Sequence, residues 1–165
     1  MFIVHATGKL LTRVGQPGPD LDERSTTVLG DWYATALFWR PQVALFVNES
    51  TLLPVLMPLA PAATMTQRFP RELSLLLAAH QVPRRFIDAE LSQMTDCHLA
   101  TTSNRSVVGT MTDFSRMAET YRTMQRPPNL IELAVRLAGT PCGPLYRRHV
   151  SPDRELAALT IQHTH

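Results

Sequence analysis

Apolar and β-branched residues alternate over 2–7 (FIVHAT), which predicts a half-buried first strand. Residues 9–14 fit about one and a half turns of helix. Gly15, Pro17, Gly18, Pro19, Asp20 and Asp22 make 15–27 a loop. Three strands are predicted next, over 31–40 (DWYATALFWR), 43–48 (VALFVN) and 52–58. Pro41-Gln42 and Asn48-Glu49-Ser50-Thr51 join them. Links this short connect antiparallel neighbours, because parallel strands need long crossovers. The first two of these strands are apolar or aromatic on both faces, which places them mid-sheet. Pro54 and Pro58 cannot donate to a ladder and push the third to an edge.

The period then lengthens to that of a helix. Met65, Phe69, Leu73, Leu76, Leu77 and His80 lie on one face of a helix predicted over 64–81, kinked at Pro70. Thr64-Met65-Thr66-Gln67 has the form of a capping box. Pro83 opens a second helix with Phe86, Ile87, Leu91 and Met94 inward. Residues 97–102 (CHLATT) are the last strand. Val107, Met111, Phe114, Ala118 and Tyr121 trace an amphipathic helix that starts near 104–106 and ends by 125–128. Asn129-Leu130-Ile131-Glu132 is a second capping box, stopped by Gly139 and Pro141. Ser151-Pro152-Asp153 begins a final helix. The expected architecture is α+β in one domain over 1–165: an antiparallel sheet of about five strands, with a central meander and helices packed over it.

Composition narrows the function classes. The chain has 165 residues, 44% hydrophobic and 18% charged, which suits one globular domain and excludes a disordered chain. Sixteen basic side chains against 14 acidic ones leave +2, which argues against nucleic-acid binding. Two cysteines, Cys97 and Cys142, make no disulfide framework and no zinc ribbon. The uncharged stretch 50–67 is interrupted by Pro54, Pro58 and Pro61, so no membrane span is expected. The N-terminal apolar segment is too short for a signal peptide, and the expected location is the cytoplasm.

Candidate chemistry is sparse. Thr7-Gly8-Lys9 follows a strand but lacks phosphate-loop spacing, and no dinucleotide fingerprint occurs. Cys97 and His98 would point to opposite faces of a strand, and His163 and His165 sit at the chain end, so neither metal nor cofactor is expected. Ser106 and Cys142 lack the base and orienting group that a nucleophile needs. Asn104-Arg105-Ser106 stands at a strand-to-helix junction, where free backbone N–H groups and a cation can hold an anion. The plainer assignment is an ordinary helix cap with Arg105 in an ion pair. The aromatic hairpin residues Trp32, Tyr33, Phe38, Trp39 and Phe46 are assigned to core packing, and Arg147-Arg148-His149 to a solvated turn.

Taken together, the chain resembles a bacterial domain family of about its own length that carries no assigned activity. The resemblance rests on Ile3-Val4-His5-Ala6-Thr7-Gly8-Lys9-Leu10-Leu11, Leu29-Gly30-Asp31-Trp32-Tyr33-Ala34 and Asn104-Arg105-Ser106-Val107-Val108-Gly109-Thr110-Met111-Thr112-Asp113-Phe114. It continues through Leu137-Ala138-Gly139-Thr140-Pro141, Pro144-Leu145 and Ser151-Pro152-Asp153. Tyr33 stands where that family commonly has His, and Thr35 where it commonly has Asn. The resemblance implies an accessory gene, found in plasmid-type or mobile DNA.

Two functions are carried forward. One is a binding or interaction module, with an exposed apolar or aromatic patch and a homodimeric assembly. The other is a small enzyme or anionic-ligand binder with a site formed by Asn104, Arg105, Ser106 and Asp113, joined by Trp32 and His5 from neighbouring strands. The partner is then a protein or a small anion.

Overall fold

The computed structural model describes residues 1–18, 23–124 and 127–164. Strand β1 (Phe2–Ala6) leads into a short helix, α1 (Gly8–Val14). Strands β2 (Trp32–Leu37), β3 (Val43–Asn48) and β4 (Pro54–Pro58) follow. A single 3₁₀ turn at Ala62–Thr64 runs into α2 (Met65–Ala79), and α3 (Arg84–Ser92) precedes β5 (Cys97–Thr101). The chain then forms α4 (Arg105–Arg122), α5 (Leu130–Ala138), a 3₁₀ turn at Gly143–Leu145, and α6 (Pro152–Thr164).

The α+β class, the five strands and the central meander are as expected. The strand order is β4-β3-β2-β1-β5, with β2-β3-β4 antiparallel. The sheet is mixed rather than antiparallel throughout, because β1 runs parallel to both β2 and β5. The reason lies in the connections. Residues 7–31 between β1 and β2 include α1 and a long segment, enough for a crossover. The route from the meander to β5 passes through α2 and α3. Only the meander had short turns to dictate direction. All six residues of both β2 and β3 are buried, as their two-sided apolar pattern requires, and β4 with its prolines is an edge.

Each face of the sheet has its own cover. Phe2, Trp32 and Phe46 meet Phe69 of α2, whose ring stacks on Phe46 at 4.1 Å and takes the edge of Trp32 at 5.1 Å. Met65, Leu73, Leu76 and Leu77 continue that buried stripe, and Pro70 lies within a continuous helix. The Thr64 capping box does not form. Its hydroxyl instead donates to Pro61 O and accepts from Arg68 Nε, because the 3₁₀ turn enters the helix directly. The opposite face of β2 is covered by α4. Asn129 caps α5 as its box predicts, its side chain accepting from Glu132 N–H at 3.1 Å.

Candidate functional site

The face beneath α4 carries the polar side chains of β1 and β2. Along β1 the residues Phe2, Val4 and Ala6 are buried, Phe2 against Phe69 of α2, so Ile3 and His5 point to the other side. His5 is the register partner of Tyr33, and their rings stack at 4.6 Å. Gly30, at φ +77°, turns the chain into β2, so that Asp31 reaches His5. His5 Nε2 and Asp31 Oδ2 are 2.8 Å apart, and His5 Nδ1 bonds Thr101 O at 3.0 Å. Both partners are acceptors, so the form that satisfies both is the imidazolium. Accordingly the bond to Asp31 holds His5 above the usual histidine range, against burial, with Thr101 adding to it. For Asp31, burial pushes the carboxyl up, but the bonds from His5 and from Ser25 together outweigh it and leave it below the ordinary range. The Ser25 hydroxyl donates to Asp31 Oδ1 at 2.6 Å.

One pleat further on, Thr7 Oγ1 and Thr35 Oγ1 are 2.8 Å apart. They form the floor of an open groove of about 990 Å³ between the end of β2, the start of α1 and the flank of α4. Lys9 stands on the α1 side, and Val108, Met111, Thr112, Ser115, Arg116, Glu119 and Arg122 on the α4 side. Phe38 and Trp39, just past the end of β2, close one end. Arg122 lies over the Trp39 ring at 4.7 Å, where a fork of bonds of 2.9 and 2.7 Å to the Glu119 carboxylate holds it flat. Those bonds lower the Glu119 pKa. Lys9 and Arg116 are exposed and form no ion pair among the described residues. The lining therefore has three cations against one carboxylate. Phe38 is 60% exposed, whereas Trp32, Tyr33, Trp39 and Phe46 are core residues.

The residues singled out from sequence are distributed as follows. Asn104 caps α4: its side chain accepts from Ser106 N–H at 3.0 Å and Val107 N–H at 3.3 Å. Its own N–H donates to Tyr33 Oη at 3.0 Å, so the protein itself uses most of the N–H groups of this junction. Ser106 is exposed beside the cap. Arg105 is exposed and makes no ion pair among the described residues. It lies three residues before Val108 and seven before Thr112, on the stripe of α4 that lines the groove. Asp113 lines a separate hollow of about 230 Å³ with Cys142 and Tyr146. Trp32 faces α2, across the sheet from His5. Tyr33 links His5 to Asn104.

Burial raises the Cys97 thiol to about 12, and burial together with the Asp113 charge raises Cys142 to about 11, so neither is a ready thiolate. The segment Arg147-Arg148-His149 is more than a solvated turn. Arg148 Nε and His149 Nδ1 each reach the buried carboxylate of Glu155 at 2.9 Å. His163 bonds Leu159 O within its own helix, and His165 lies outside the described residues.

Ser25, Glu49 and the groove residues Arg116 and Arg122 were not singled out from sequence, and Thr35 was noted only as a departure from the family pattern. Asp31 and Glu49 bracket the β2-β3 hairpin, and that symmetry was the available signal. The parallel pairing that brings β1 against it was not legible. A family model described as "Domain of unknown function (DUF6933)" matches residues 3–155. No curated protein and no solved structure matches the chain.

Proposed function

The chain belongs to the DUF6933 family of domains of unknown function, and we propose that it works as a binding module whose ligand is a small anion with an apolar part. The observation that carries this reading is the groove under α4. It has the volume of a small-molecule site, Met111 and Trp39 among its lining, and cations at Lys9 and Arg116 that form no ion pair among the described residues. Arg105 extends the same stripe and supplies a further cation at its approach. The groove lining has hydroxyls, three cations and one carboxylate but no histidine or cysteine.

An interaction surface for a protein is a second use of the same place. The exposed ring of Phe38 at the rim favours it, including a second copy of this chain.

A thermal-shift screen of small carboxylates and phosphate esters, repeated on Lys9→Ala and Arg116→Ala, tests the reading. We expect a subset of aromatic or branched anions to raise Tm, and each variant to reduce that shift. If no anion raises Tm, or the shifts survive both substitutions, the groove is not an anion site.

A further inference from the structure

We propose that His5, Asp31 and Glu49 bind one divalent transition-metal ion through one imidazole nitrogen and two carboxylate oxygens. A ligand atom from each of the three lies within 4.8 Å of the other two, and all three residues are partly buried. Ligands about 2.0–2.2 Å from one ion are themselves separated by roughly 3–3.5 Å, so small side-chain rotations close the set.

The surroundings orient each ligand. Thr101 O engages His5 Nδ1, which leaves Nε2 as the nitrogen aimed at the carboxylates. Metal-binding histidines are commonly held in this way by a carbonyl on the far nitrogen. Ser25 engages Asp31 Oδ1 and leaves Oδ2 facing His5. The Glu49 backbone N–H donates to Asp31 O at 3.0 Å, so the hairpin fixes the two acidic residues opposite each other.

Charge separates this site from a simple ion pair. A protonated His5 answers one carboxylate and leaves the cluster at −1. Among the described residues no Lys or Arg pairs with Asp31 or Glu49, and no hydrogen bond holds the Glu49 carboxylate. A divalent ion on neutral His5 brings the same cluster to zero. One nitrogen with two oxygens suits Zn²⁺, Mn²⁺, Fe²⁺ or Co²⁺ better than Ca²⁺, which takes oxygen ligands. The site shares no residue with the groove and stands or falls independently of it.

The test is calorimetric titration of the full, chelator-stripped chain with Zn²⁺, and separately with Co²⁺ followed by its visible absorption. Glu49→Gln is the chosen variant because that carboxylate has no hydrogen bond to lose, and His163→Gln controls for binding by the C-terminal helix. We expect one equivalent bound, at least tenfold weaker binding in Glu49→Gln with an unchanged metal-free Tm, and no effect of His163→Gln. Absence of saturable binding tighter than about 100 µM overturns the proposal. So does binding that Glu49→Gln leaves intact.

Discussion

The phenol oxygen of Tyr33 in β2 accepts the backbone N–H of Asn104, the N-cap of α4, at 3.0 Å. This one bond ties the sheet to the helix that roofs the groove. The same oxygen lies 3.3 Å from Ser103 Oγ, and its ring stacks on His5. Tyr33→Phe keeps the stack and removes the acceptor, leaving the Asn104 donor without its partner. We predict a loss of about 1–2 kcal/mol in urea denaturation. An unchanged midpoint means that the bond does not anchor α4.

Glu90 is buried to 2% exposure, and its two oxygens accept N–H bonds from Val28 at 2.7 Å and Leu29 at 2.9 Å. It thereby clamps α3 to the segment that delivers Asp31. Glu90→Ala leaves two donors without acceptors, and we predict a loss of about 3 kcal/mol.

Burial raises the Glu90 pKa above its ordinary 4.5, against the pull of those two N–H groups. The folded protein therefore binds this proton more tightly than the unfolded chain does. Glu90's pH-linked stability is full below 4.5 and declines as pH rises through the raised value. The advantage of wild type over Glu90→Gln should accordingly shrink as pH rises above 4.5, since the amide does not titrate. A flat difference contradicts the shift.

Arg105 was the residue on which the sequence rested a choice between a buried ion pair and a ligand contact. Its exposure and lack of an ion pair among the described residues predict that Arg105→Ala changes stability by no more than about 0.5 kcal/mol. The same substitution should weaken any anion that binds in the groove. A loss of several kcal/mol on denaturation contradicts the placement.

The thiols supply a further check. With Cys97 at about 12 and Cys142 at about 11, neither should be alkylated by iodoacetamide at about pH 8 while the chain is folded. Both should react in denaturant. Prompt labelling of either cysteine in the native protein contradicts its raised pKa.

Much of this was legible from residues alone. The two-sided apolar strands of the meander and the spacing of Val107, Met111 and Phe114 are local patterns, and burial follows them directly. The Asn104 and Asn129 caps were legible for the same reason. The direction of β1 was not, because a long connection leaves strand direction to tertiary packing. That one element decides the site. With β1 parallel to β2, His5 meets Tyr33 and Asp31, and Thr7 meets Thr35. Trp32, adjacent in sequence to both Asp31 and Tyr33, goes to the opposite face. Among the described residues no helix is long and apolar enough to cross a membrane, as its proline-broken stretch implied.

The central claim is that the groove holds an anion, and native mass spectrometry of the purified chain tests it most directly. Wild type and the Lys9→Ala, Arg116→Ala double variant are compared after incubation with the strongest anion from the thermal-shift screen. The account predicts a discrete added mass of one ligand per chain on the wild type and its loss in the double variant. Equal retention by both proteins, or none by the wild type, contradicts it.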